Sequence, residues 1–438
     1  MKNFPTVRAA HQAAPEAIDL SPAEFQARLR WARVRGHPLY LWPDVAPEVW
    51  RSALRELERV TRSLLLGQLG ERLTAGDQAS LRALGVAAFT SGLGPLLGWW
   101  IERGMLEAGA PERALLALHL EHNRERAERM QRTLRHAVRV LTNAGVTVTV
   151  LKGAHTSHVY FPEPGTRPMA DLDLLVAQRD IARAEKALST AGYTTAPGSA
   201  LKRPYRSDWQ PPGIPTTVRS LALQHRDNPY TVDLHASLDI SFFGVRTIRF
   251  GLPSADQLVA APWAGAQVRA LPLTLLIAYH AAHAAQGLYN LTLIRLVELA
   301  LLLRRTAEPQ VSWDELTDLL RQARAERFVF PAFELVERLV PGTVAAALRD
   351  QLLRAATPSL RAVVNGLSPA TAQRLERSAL NEKFMWAASP IEYIRRAAHM
   401  LLPGGGSFRR LARIYVDRAF RLLRGRVTLR SRDTDHAP

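Results

Sequence analysis

Taken as a pattern of apolar and polar positions, the chain falls into three stretches. From residue 22 to about residue 101, apolar residues recur at helical spacing, broken at Gly36-His37-Pro38 and again at Gly94-Pro95. Ala110-Pro111-Glu112 reads as a helix start with proline in the first turn. Leu115, Leu118, Met130, Leu134, Val138 and Leu141 keep helical spacing from there to Gly145, which caps the element. The period then changes. VTVTVLKG, residues 146–153, alternates β-branched side chains and predicts a strand; a short helix over 155–160 and the turn-rich loop FPEPGTRP follow. ADLDLLVA predicts a second strand and residues 178–191 a helix ended by Gly192. Residues 197–217, rich in Pro and Gly, read as a loop. VRSLALQH and YTVDLHASL then read as antiparallel strands about the turn at Arg226-Asp227-Asn228-Pro229. Helices are predicted over 272–286, 291–305, 313–325, 329–339 and 344–355, with a basic one over about 407–424.

This succession predicts an α+β fold: a small mixed-sheet core set between N- and C-terminal helical regions. The expected divisions are an irregular start (1–22), a helical region (23–145), an α/β core (146–253), a second helical region (254–406) and a basic terminal helix and tail (407–438).

The chain has 438 residues, of which 47% are hydrophobic, enough for two or three domains with sizeable cores. Cysteine is absent, which excludes disulfides and Cys-ligated zinc or iron–sulfur centres. That fits a reducing, cytoplasmic setting, and the first twenty residues carry no apolar stretch of the kind a signal peptide needs. The longest uncharged run, residues 83–101, is long enough to span a bilayer. Its glycines, Pro95, Thr90 and Ser91 instead predict a buried helix pair broken at Gly94-Pro95. The formal net charge is +17, which suits either a polyanionic partner or solvated Arg faces on helices. In the terminal segment Phe408, Leu411, Tyr415, Leu422 and Leu423 fit one apolar face, with Arg409, Arg410, Arg413, Arg418, Arg421 and Arg424 around it. It reads as a surface for RNA or an anionic membrane, or as a helix docked on the bundle with its Arg face in solvent.

Chemistry concentrates in the middle stretch. On a strand, residues two apart share a face, so Asp171 and Asp173 project side by side. Two such carboxylates repel, and a divalent cation relieves the repulsion; oxygen donors suit Mg2+ or Mn2+. A solvated edge strand, or a turn capping the following helix, is the bland alternative. Gly153, between a strand and a short helix, lets backbone N–H groups approach a phosphate, and Lys152 adds a cation. Asp233 lies in another β-like run, TVDLH, and a small sheet can bring it beside the first two. Three carboxylates and a phosphate-holding turn point to phosphoryl or nucleotidyl transfer. Two histidine pairs, His155/His158 and His280/His283, have i, i+3 spacing but no third zinc ligand at a metalloprotease spacing, so packing is their default role. His280, His283 and Arg295 are candidates to line the cleft between core and helices, and Glu298 is placed to form an intrahelical ion pair with Arg295.

The order of these motifs resembles the nucleotidyltransferases of the DNA polymerase beta type, in particular a bacterial family within them. The likeness rests on Val150-Leu151-Lys152-Gly153, Arg167, Asp171-Leu172-Asp173-Leu174-Leu175-Val176 and Val232-Asp233-Leu234-His235, with similar helical segments GLGPLLGWWIERG and AYHAAHAAQG. It covers roughly residues 85–305. The resemblance implies Mg2+- or Mn2+-dependent transfer of a nucleoside monophosphate from an NTP to an acceptor, which the sequence leaves open as a small molecule, a protein or an RNA. It implies that Asp171, Asp173 and Asp233 hold metal and that Asp233 serves as base. Lys152, Gly153, Ala154 and Arg167 would face the nucleotide. Ala154 stands where the wider superfamily usually has a serine, with His155, Thr156 or Ser157 as nearby replacements. The alternatives are a catalytically weak or inactive binding protein on the same fold, and a membrane-surface or RNA adaptor acting through the basic tail.

Overall fold

A computed structural model describes residues 22–196, 206–216, 227–265, 268–304, 311–375 and 379–401. The expected irregular start, the strand over 218–225 and the basic terminal helix lie outside these residues. Helices Pro22–Arg35, Pro47–Leu65, Gln78–Ser91 and Gly94–Glu102 lead into the long helix Ala110–Asn143. The run over 83–101 is the predicted broken pair: Gln78–Ser91 and Gly94–Glu102 meet at a bend of 111°, and both are largely buried. Gly92 makes the bend possible. It sits at φ 76°, and a Cβ there would lie 2.6 Å from Ile294 Cγ2. Among the described residues no single helix is long and apolar enough to cross a membrane.

The sheet has seven strands in the order Val259–Ala260, Arg269–Ala270, Thr149–Val150, Asp171–Leu175, Thr231–His235, Arg206–Gln210 and Thr194–Thr195. Thr149–Val150 runs parallel to Arg269–Ala270, and Asp171–Leu175 parallel to Thr231–His235; the other pairings are antiparallel. The architecture is thus α+β, a mixed sheet flanked by helices. Two local readings need correction. The strand expected over 146–153 pairs only at Thr149–Val150. The antiparallel neighbour of Thr231–His235 comes from the stretch read as a loop, where Arg206–Gln210 is a strand. RSDWQ alternates, but its core-facing side offers little apolar signal beyond Trp209, and Pro211-Pro212-Gly213 follows at once.

Alternation divides the sheet into two unlike faces. Leu172, Leu174, Val232, Leu234 and Trp209 pack with Met130, Leu134 and Leu141 of the long helix and with Ala184 and Leu188 of helix Ile181–Thr190. Burying side chains of this size contributes about 1.5–3 kcal/mol each, so this core fixes the strands to the long helix. The opposite face carries Asp171, Asp173, Asp208, Asp233 and His235. Helices Leu273–Gln286 and Leu293–Leu303, which belong to a larger apolar core, stand over it. The next three helices, Trp313–Gln322, Glu326–Leu339 and Ala346–Ala355, complete the series expected from periodicity, each starting or ending within a few residues of its predicted bounds.

Candidate active site

Register assembles the site. Asp173 lies directly opposite Asp233 across the parallel pair, and Asp208 opposite Asp233 on the other side. Asp173, Asp233 and His235 are buried, whereas Asp171 keeps 40% of its side chain exposed at the mouth of the group. One ligand atom from each of Asp173, Asp233 and His235 lies within 4.8 Å of the others. Among the described residues this Asp-Asp-His group is where three metal-ligating side chains converge. His235 went without a role in the sequence reading, although its spacing two residues after Asp233 already placed it on the same face.

The carboxylates are held by cations. Lys152 Nζ donates to Asp173 Oδ1 at 2.7 Å, and His235 Nε2 meets the same oxygen at 2.7 Å. A carboxylate only accepts, so the imidazole is the donor. Burial opposes ionisation of Asp173, but the Lys152 ammonium and the His235 hydrogen bond outweigh it and hold the carboxyl well below the usual range. Arg206 donates to Asp208 Oδ1 at 2.7 Å and to Asp233, and stands 3.9 Å from Asp171 Oδ2. Thr231 Oγ1 donates to Asp233 Oδ1 at 2.8 Å. Burial, and then the charge of Asp171, push Asp233 up to about 8. Asp171 is raised as well, by the crowding around it and then by Asp173. Four carboxylates thus face two cations, Lys152 and Arg206, and the surplus charge appears as proton affinity. A donor set of carboxylate oxygens with one imidazole fits a divalent cation, and the imidazole admits Mn2+ at least as readily as Mg2+.

At the glycine turn, a side chain makes the close approach to the backbone. Lys152 opens helix Lys152–Val159 at φ 46°, a left-handed conformation unusual for a residue with a Cβ, and its ion pair with Asp173 offsets the cost. A Cβ on Gly153 would lie 2.6 Å from Arg167 Nη1 and 3.1 Å from Met169 Cγ. The space over Gly153 is therefore filled by the Arg167 guanidinium. Arg167 donates to Glu298 Oε2 and to the Pro168 carbonyl, each at 2.7 Å. Ala154 is buried in the sheet core. Thr156 gives its hydroxyl to Glu298, and both Thr156 and Ser157 are fully buried, so neither hydroxyl is open to a nucleotide.

Glu298 corrects a further expectation: its partners are Arg167, Thr156 and, at 3.8 Å, His280, and not Arg295. Burial opposes its ionisation, but Arg167 and His280 bring it down to about 2. Burial lowers His280 to about 4 and holds His283 well below its usual value, so both imidazoles are neutral at pH 7. Lys152 Nζ lies 6.0 Å from the Tyr279 ring, which brings helix Leu273–Gln286 over the carboxylates. His155 and His158 point elsewhere. His158 stacks on Trp263 and meets Gln131 Oε1 at 2.7 Å, and His155 faces Tyr160 and Trp263.

Arg126, on the long helix, is a positioning residue that periodicity could not reveal. It donates to the carbonyls of Met169, Asn228 and Pro229, in the two segments that lead into the acid-bearing strands. Asn123 and Arg124 hold the loop between, through the Gly165 carbonyl and Glu163.

This arrangement belongs to a recognisable class. Residues 80–341 match the model of a family described as an uncharacterised nucleotidyltransferase. The matched segment contains both acid-bearing strands, the glycine turn and the two helices over them, and the chain belongs to that family. No curated protein and no solved structure matches the chain.

Proposed function

We propose that the protein is a divalent-metal-dependent nucleotidyltransferase of the DNA polymerase beta type, moving a nucleoside monophosphate from an NTP to an acceptor. The observation that carries this reading is the register that sets Asp173 opposite Asp233, with Asp171 at the mouth, on one face of a sheet inside a nucleotidyltransferase family segment. Asp171, Asp173 and Asp233 would hold Mg2+ or Mn2+, with His235 beside them. A cation bound there would neutralise phosphate charge and acidify the acceptor hydroxyl. Asp233 would take the acceptor proton once a bound cation, together with Arg206, holds its carboxylate ionised. Lys152, Gly153 and Arg167 form the wall nearest the carboxylates, and Lys152 supplies positive charge at Asp173. In-line attack at the α-phosphate would release pyrophosphate.

The Lys152–Asp173 ion pair also supports a second reading. An ammonium already neutralising a candidate metal ligand, with Ala154 in place of a serine, suits a binding protein that keeps the fold without the reaction. Manganese titration followed by electron paramagnetic resonance separates the two. The enzyme reading predicts that wild type removes free Mn2+ from solution, more tightly with NTP present, and that Asp171→Asn/Asp173→Asn does not. Equal Mn2+ signals for both proteins, with and without NTP, would favour the binding protein.

A further inference from the structure

Of the cations at this site, Lys152 is paired with Asp173, Arg206 with Asp233 and Asp208, and Arg167 with Glu298. Arg295 differs. It lies on helix Leu293–Leu303, one turn before Glu298, and it is partly buried. The carboxylate that sequence spacing offered it is taken by Arg167. Among the described residues its side chain has no hydrogen bond and no ion pair; burial and then the charge of Arg167 act against its charged form, and Glu298, Asp171 and Asp173 favour it from beyond ion-pair distance. Its guanidinium rests against the turn at Gly287, where a Cβ would stand 3.6 Å from Nη1. A guanidinium withdrawn from water costs free energy unless an anion meets it, and its planar fork matches phosphate oxygens.

We propose that Arg295 receives the β- and γ-phosphates of the NTP, and so selects triphosphates over monophosphates. The inference rests on the nucleotidyltransferase reading, in which the α-phosphate lies at the carboxylates. A triphosphate then has two further phosphate groups to place, and Arg295, beside Arg167, is the cation with no protein partner to give up. Those two phosphate groups carry negative charge that needs a positive counterpart beyond the carboxylates. His280 and His283, neutral at pH 7, do not supply it.

The test is calorimetry with wild type, Arg295→Gln and Arg295→Lys, in Mg2+ and without acceptor, titrating ATP, GTP, CTP and UTP and then the matching monophosphates. The expected result is NTP binding at least tenfold weaker in Arg295→Gln, with monophosphate binding unchanged within twofold and part of the loss restored in Arg295→Lys. Retained monophosphate binding shows that the variant is folded around its site. Equal NTP affinity in wild type and Arg295→Gln, or equal loss for triphosphate and monophosphate, would overturn the assignment. If wild type binds none of the four NTPs, the nucleotidyltransferase reading falls, and the role of Arg295 falls with it.

Discussion

Gly153 shows how far the role of a single residue is legible. Its position between strand and helix marked a place where something approaches the backbone closely, and the approaching group is the Arg167 guanidinium. Arg167 is tied at both ends, to Glu298 and to the Pro168 carbonyl, so it cannot yield freely to a new Cβ. Gly153→Ala should therefore lose about 1–3 kcal/mol in urea unfolding, and less when made in an Arg167→Ala background. Equal losses in the two backgrounds would mean that the contact is not what constrains the site. Glu298 is buried with Arg167, Thr156 and His280 around it. Removing a buried counter-ion leaves a charge stranded, so Glu298→Ala should cost about 3–5 kcal/mol by the same measurement. Asp171 and Asp173 were legible because on a strand a two-residue spacing fixes a shared face, however the strands are ordered. Glu298 was misassigned because spacing along a helix cannot see a partner that arrives from a loop 131 residues away in the chain.

At the scale of elements, the long helix does two jobs. Its apolar stripe, which periodicity showed, packs on the sheet. Its Arg126, which periodicity could not show, ties down the approaches to both acid-bearing strands. Burial lowers that guanidinium to about 10, still charged at neutral pH. Arg126→Met should destabilise the protein by about 2–4 kcal/mol, because three carbonyls lose a charged donor together. Hydrogen exchange should quicken first in Thr231–His235; protection lost evenly over the whole chain would argue against a local role. A different element gives a pH signature. His37 accepts a hydrogen bond from Leu39 N at 3.0 Å at the start of the short helix Pro38–Leu41. Burial, then the charge of Arg51, lower His37 to about 4. The folded state favours the neutral ring, so this stability is complete above the unfolded value near 6.5 and is lost as pH falls from there to about 4. Its ceiling is about 3 kcal/mol. Unfolding measured from pH 7 to pH 4 should show a loss smaller by roughly that amount in His37→Asn, which keeps an acceptor for the cap but does not titrate. Identical pH profiles would contradict the assignment. The strand Arg206–Gln210 was hidden for a reason at this same scale. Its polar residues face the carboxylates, so it lacks the apolar alternation by which strands are recognised.

For the whole molecule, the alternation of helical, β and helical stretches was enough to give the α+β class, because each change of period is a change of element. It did not give the order of the strands. That order depends on parallel pairings between segments far apart in the chain, and it is what sets Asp173 against Asp233. The family segment, residues 80–341, spans this sheet and the helices above it, so site and family coincide on one part of the chain. The remaining question for the molecule is which phosphate it moves. Wild type and Asp171→Asn/Asp173→Asn should be incubated with Mg2+ or Mn2+, a cell extract as acceptor pool, and NTPs labelled at the α- or, separately, the γ-phosphate. Label from the α-phosphate should enter a product with wild type, at a rate the double variant reduces on the order of a thousandfold or more. Transfer of the γ-label instead, or α-label incorporated equally by both proteins, would contradict nucleotidyl transfer at these carboxylates.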